Sequence, residues 1–158
     1  MTEFASRTDA PHRAPVPLAE CALARAIRVI GDAWTLLILR EALCGVTRFD
    51  AMHTDLGIPR SVLAARLSKL VAEGILEQQP YREPGRRRRN GYVLTQKGRA
   101  LTPALAALRE WSETYLSGRP SRLRLQTPDG QEVVTRLVRA DGAGLADPLD
   151  IVAVAKPE

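Results

Sequence analysis

Apolar residues in the first part of this chain recur at helical intervals. Leu23, Ile27 and Ile30 stand four and three residues apart, the stripe of an amphipathic helix over residues 19 to about 30. Gly31 interrupts, and Asp32 is placed to cap a second helix. There Trp34-Thr35-Leu36-Leu37-Ile38-Leu39 is apolar on nearly every side, as in a helix at the middle of a small core. Gly45 ends it, and Thr47-Arg48-Phe49-Asp50 has the form of a capping box with Asp for the usual Glu. A short third helix follows with Phe49, Met52 and Leu56 inward, closed by Gly57. A fourth runs from Pro59 or Arg60 to Glu73, with Leu63, Leu67, Leu70 and Val71 inward and Gly74 as its stop. Two helices joined by so tight a glycine-containing turn make a helix-turn-helix pattern.

The next segment changes period. Residues 75–79 read as a strand, Pro84-Gly85 as a turn, residues 86–89 as four arginines, and Tyr92-Val93-Leu94 as a returning strand after Asn90-Gly91. A basic hairpin directly after a helix-turn-helix is the element order of a winged helix. Leu94-Thr95-Gln96-Lys97-Gly98 opens a fifth helix, in which Leu101, Ala104, Leu108, Trp111 and Tyr115 alternate at steps of three and four with Leu105 beside them. Pro103 falls in its first turns, where a missing donor is tolerated, and Gly118 and Pro120 end it. Beyond it Arg122-Leu123-Arg124-Leu125-Gln126 alternates with period two, residues 132–138 are β-rich, and Ile151-Val152-Ala153-Val154 follows a Gly-containing loop. These predict three short strands in an accessory sheet. The fold class expected is therefore mainly α with a small β component: a flexible arm over 1–17, a winged helix-turn-helix and dimerisation domain over 18–118, and a β extension over 119–158.

Composition narrows the function. The 158 residues carry a net charge of +5, and of 23 basic residues only Lys69, Lys97 and Lys156 are lysines, leaving 20 arginines. A guanidinium forks onto phosphates and base edges, so the bias favours an anionic partner, although genomic base composition can produce it too. Two cysteines and two histidines, scattered, do not make a structural zinc site. No nucleophile–base pair or Gly-rich phosphate loop is present, so neither enzymatic activity nor a cofactor is expected. With no apolar run near the roughly 20 residues of a membrane span and no targeting segment, a cytoplasmic location is expected.

The outward face of the fourth helix carries Ser61, Ala64, Ala65, Ser68 and Lys69. Small side chains let a helix backbone approach base edges, and the serines can hydrogen-bond to bases or phosphates. Arg60, at the helix start, is the candidate for a bidentate guanine contact. Arg86, Arg87, Arg88 and Arg89 repel one another unless a partner neutralises them. Phosphates do so through counterion release. Thr47 and Arg48, at the start of the third helix, and Asn90 complete the candidate DNA-binding set. Cys21 stands near a helix N-terminus, where the macrodipole favours thiolate, with Arg25 one turn on and Glu20 opposing. It is the better candidate redox sensor than Cys44, although a small buried core residue is the simpler reading of it.

From Cys21 to about Trp111 the sequence resembles the HxlR family of bacterial winged-helix regulators. The matches are Cys21, the run from Gly31 to Glu41, Arg48-Phe49, Leu63 with Arg66-Leu67 and Leu70, Gly74-Ile75, and Tyr92-Val93-Leu94-Thr95 with Gly98. Ala33 departs from the basic or polar residue usual there, and Pro59-Arg60-Ser61 replaces a Ser-Pro start to the fourth helix. The wing is longer and more basic than usual. The resemblance implies a homodimer formed largely by the first and last helices, for which Leu23, Ile27, Leu101, Leu105, Leu108, Trp111 and Tyr115 are the candidate contacts. It also implies that each fourth helix enters a major groove of double-stranded DNA, and that some relatives use a cysteine at the position of Cys21. A small-molecule or oxidant effector is a further partner this reading admits. The rival readings are a winged helix that recruits RNA or a protein, and an accessory domain of an enzyme.

Overall fold

Asp32 starts the central helix of the fold in the way its side chain dictates. In the computed structural model its carboxylate accepts from the Thr35 backbone N–H at 3.0 Å and from the Thr35 hydroxyl, capping α2 (Ala33–Leu43). The model describes residue 14 and residues 16–82, 85, 88–116, 121–151 and 153–154. The proposed arm over residues 1–17 lies almost wholly outside them. Two compact units are present, residues 29–135 and, separately, residues 1–28 with 136–158.

Within the larger unit α2 buries Thr35, Ile38, Leu39, Glu41 and Ala42 but leaves Leu37 exposed, so its all-round apolar sequence is not matched by all-round burial. Around it pack α3 (Phe49–Leu56), α4 (Arg60–Ala72), the antiparallel strands β1 (Leu76–Tyr81) and β2 (Arg89–Leu94), the single turn α5 (Gln96–Arg99), and α6 (Thr102–Tyr115). The core contains Ile38, Leu39, Met52, Ile58, Leu63, Leu67, Leu70, Ile75, Leu76 and Leu94. Aliphatic side chains fill it, which a sequence with 4% aromatics requires. Gly57 closes α3 in the left-handed region at φ 61°, a conformation that costs glycine nothing.

Four details differ from expectation. The capping box at Thr47 does not form: the N-cap of α3 is Arg48, without a side-chain bond to the helix, because Asp50 is engaged elsewhere. The hairpin is longer, pairing Leu76 with Leu94 through to Tyr81 with Arg89, so Arg89 and Asn90 belong to a strand rather than to the tip. The fifth helix divides into α5 and α6. Pro103, lacking an N–H, cannot bond to the Arg99 carbonyl, and the Thr102 hydroxyl donates to it at 2.7 Å instead.

The fourth difference is the accessory sheet. Among the described residues beyond 120 there are isolated bridges, Gln126 with Glu132 and Val138 with Leu145, and one 3-10 turn at Pro148–Asp150. Residues 122–126 alternate with period two, but the described segments do not pair into a ladder.

The helix α1 (Ala22–Ile30) is divided between the two units: Leu23 and Ile27, in the smaller unit, are exposed, while Val29 and Ile30 belong to the larger unit and pack on its core.

Candidate nucleic-acid interface

The base of the hairpin is locked to the end of α4. Thr95 accepts from the Gly98 N–H at 3.1 Å and donates its hydroxyl to the Gly74 carbonyl at 2.7 Å, while its own N–H donates to Ile75 at 3.1 Å. A Cβ on Gly98 would stand 2.2 Å from the Ile75 carbonyl oxygen, so only glycine lets α5 sit against this turn. Lys97 donates to the Glu73 carbonyl at the last turn of α4. On the other edge of the hairpin, Arg48 bridges to Gly91 and the Tyr92 N–H donates to the Thr47 carbonyl at 2.7 Å. The connection before α3 thus adds a third, minimal strand. Thr47 is part of this scaffold through its backbone.

The other end of the hairpin is tied to the start of α4 through Asp50. Its carboxylate accepts from Arg60 at 2.9 Å on one oxygen and from Arg89 at 2.8 Å on the other. The hydrogen bond from Arg60, with the Arg89 charge beside it, holds the Asp50 carboxyl below its ordinary 3.8. Two residues of the sequence-level set, 29 positions apart in the chain, therefore meet on one surface. The guanidinium of Arg60 lies 4.9 Å over the Phe49 ring, and that of Arg48 lies 4.8 Å over the Tyr81 ring. Each ring gives its guanidinium an apolar, electron-rich partner that restrains where the fork sits, and such a fork suits bidentate recognition of a phosphate or a guanine edge. Between α3, α4 and the hairpin lies an open cleft of about 310 Å³, lined by Phe49, Asp50, Arg60, Tyr81, Arg89 and Asn90 among others.

Along α4, Ser61, Ala64, Ala65 and Ser68 are exposed and Lys69 is half-buried, while Leu63, Leu67 and Leu70 are buried. The outward face is the one the periodicity assigned. Arg66, between the two faces, pairs with Asp32 at 3.1 Å and so joins α4 to the cap of α2. Partial burial raises the Asp32 carboxyl, but the Thr35 hydrogen bonds and the Arg66 and Lys69 charges outweigh it, and the carboxyl is held below 3.8. Asn90 donates to Gln78 across the strands at 3.0 Å, and Arg88 is exposed. Arg86 and Arg87 lie outside the described residues.

The remaining candidates fall elsewhere. Cys21 is half-buried immediately before α1, and Cys44 is exposed at the end of α2. The apolar seam read on the last helix splits. Leu101 and Leu105 pack against the core, whereas Leu108, Trp111 and Tyr115 are exposed, the two rings 6.1 Å apart. Sequence reasoning missed Asp50, Phe49 and Tyr81 as parts of the surface. Their signal is a contact across 39 residues of chain, which no local pattern carries.

Comparison with known proteins gives this arrangement a family. Residues 29–120 match the model of the HxlR-like helix-turn-helix family. The chain belongs to that family. An uncharacterized HTH-type transcriptional regulator of Mycobacterium tuberculosis is 42% identical over 117 residues, 72% of each chain. Among solved structures, PA1607, described as a candidate transcription factor, aligns with a TM-score of 0.69 at 40% identity, over 85% of this chain and 95% of its own. The redox regulator HypR in its reduced form aligns with a TM-score of 0.54 at 26% identity, over 60% of this chain and 92% of its own. The α-helical frame with its two-stranded hairpin is thus the winged layout of HxlR-like regulators, and the chain is a DNA-binding transcriptional regulator of helix-turn-helix type. No helix among the described residues is long and apolar enough to cross a membrane.

Proposed function

We propose that this HxlR-like protein binds a pseudo-palindromic operator as a homodimer, with α4 of each protomer in a major groove and each hairpin on flanking phosphates or the adjacent minor groove. The observation that carries this reading is the Asp50 tie, which sets the reader helix and the basic hairpin on one side of the unit. Two symmetry-related reader helices then lie roughly 34–36 Å apart, one turn of duplex. Arg60 is the guanine-reading fork, Ser61 and Ser68 are secondary polar contacts, and Ala64 and Ala65 allow close approach. Arg48, Lys69 and residues 86–90 supply phosphate contacts.

Support for the dimer comes from α6, whose Leu108, Trp111 and Tyr115 stand exposed, and from α1, which exposes Leu23 and Ile27. Apolar side chains of that size at helical spacing suit a helix–helix seam between copies. Regulation works by tilting that seam and so changing the separation of the readers. Cys21 is the oxidant- or electrophile-responsive position in this reading. Its half-exposed place before α1 and the kinship with HypR support it.

Fluorescence anisotropy against genomic duplex fragments, random duplex and single-stranded RNA at several salt concentrations tests the proposal. Duplex is bound most tightly, and replacing residues 86–89 by Ala lowers the log–log salt slope by roughly 2 to 4. An unchanged slope, or RNA held as tightly as duplex, refutes the assignment. Oxidant weakens the complex, and Cys21→Ser abolishes that response. Sedimentation of the DNA-free protein reads the oligomeric state.

A further inference from the structure

The tie between α3, α4 and the hairpin also sets an acceptor beside the reader fork. Asp50 stands in the first turn of α3; its Oδ1 accepts from Arg60 Nη2 at 2.9 Å and its Oδ2 from Arg89 Nη1 at 2.8 Å. Arg60 is the first residue of α4 and Arg89 the first of β2, so the carboxylate is oriented from two elements at once. Its side chain is nevertheless 53% exposed. A carboxylate oxygen has two lone pairs, so the bond each already accepts leaves room for a further donor. The Arg60 hydrogen bond, with the Arg89 charge, keeps the group ionised at neutral pH. One negative charge between two guanidiniums leaves the cluster cationic, and it can therefore approach a polyanion.

The chemistry of that acceptor selects its partner on a duplex. An ionised carboxylate can only accept, and phosphates repel it. On the major-groove edges guanine presents acceptors at N7 and O6 and thymine at O4, so the N4 amino group of cytosine and the N6 amino group of adenine are the donors it can use. Distance then selects the position. Arg60 spends one Nη2 hydrogen on Asp50 and keeps the N–H groups that a bidentate guanine contact needs. A group hydrogen-bonded to that fork lies within about one base step of the guanine, successive steps being roughly 3.4 Å apart along a strand. Resting on the reading of α4 as the major-groove reader, we infer that Asp50 is itself a specificity-determining residue. It accepts from the amino group of the base pair next to the guanine read by Arg60. Two of the four pairs, those that place their amino group towards Asp50, are chosen there over the two that turn a keto oxygen to it.

The test is enrichment of sites from a random duplex library by the full chain, as wild type, Arg60→Ala, Asp50→Asn and Asp50→Ala. Competition anisotropy then compares enriched duplexes that differ only in the pair beside the guanine. The wild type enriches a guanine in each half-site and binds the amino arrangement beside it roughly fivefold more tightly than the keto arrangement, as one hydrogen bond of this kind allows. Arg60→Ala loses the guanine. Asp50→Asn, which donates as well as accepts, and Asp50→Ala, which does neither, keep the guanine and bring the amino-to-keto ratio below about twofold. Thermal unfolding midpoints check that the variants fold. An undiminished ratio in both Asp50 variants, or no amino preference beside the guanine in the wild type, overturns this assignment and leaves the reader helix in place. Guanine retained by Arg60→Ala, or no site enriched from duplex, overturns the reading of α4 and this inference with it.

Discussion

The sequence predicts strands both in the hairpin β1–β2 and in the segment from residue 121 to 145, yet only the hairpin became a sheet. The hairpin buries Leu76 and Leu94 in the core and is fastened at its base by Thr95 and Gly98, along one edge by Thr47, and towards its tip by Asp50. Residues 121–145 form two isolated bridges, and Val134, Leu137, Val138 and Leu145 remain exposed. Alternation makes a strand possible. A neighbour with matched hydrogen-bonding groups and an apolar surface to cover makes it a sheet. The wing has both, and its position beside the reader helix is therefore structural rather than incidental.

Substitutions break this comparison in order of size. Leu67→Ala removes a fully buried side chain of α4 beneath the wing and costs about 2–5 kcal/mol, read by urea unfolding. Gly98→Ala drives a Cβ into the Ile75 carbonyl and costs about 1–3 kcal/mol, because backbone must move to relieve it. The same variant loses DNA affinity beyond its effect on the folded fraction, since the wing base shifts; affinity that tracks the folded fraction alone would show the lock to be merely structural.

Asp50→Asn acts on recognition rather than stability. The ion pairs are solvent-exposed and screened, so the urea midpoint stays close to that of the wild type. Released from the carboxylate, Arg60 and Arg89 bind random duplex more tightly, and preference for the cognate fragment falls by roughly tenfold. Equal discrimination by wild type and variant in competition anisotropy would remove Asp50 from the reading. Since the folded carboxyl titrates below 3.8, the tie is fully present above that pH and is lost as pH falls through the depressed value. Wild-type discrimination is accordingly flat with respect to this group from neutral pH down to about 5. At the small end, Val134→Ala, on an exposed position of the unpaired segment, stays within about 0.5 kcal/mol of wild type by the same urea assay.

Much of the fold is written locally. The helices α1 to α4, their glycine stops, the Asp32 cap and the Leu63, Leu67, Leu70 stripe follow from spacing and capping chemistry, which act over a few residues. The outward set Ser61, Ala64, Ala65 and Ser68 follows from the same geometry. Less was visible where two distant segments decide the outcome. The capping box at Thr47 fits the local rule, but Asp50 found two guanidiniums from α4 and β2. The last helix shows an unbroken seam in sequence, and packing divided it between the core and the surface.

The amino-acid sequence alone determined which segments coil, where they stop, which faces are apolar and that arginine would crowd one hairpin. These properties depend on torsional preference and on the transfer of side chains from water, and both are set by near neighbours. The tertiary structure alone decided that Arg60 and Arg89 share one carboxylate, that Gly98 has room for nothing but hydrogen, and that Leu123 and Leu125 roof a cavity over α2 and α6. Those outcomes require groups far apart in the chain to be brought within contact distance. A contact of that kind is a property of the assembled core, not of any stretch of sequence read by itself.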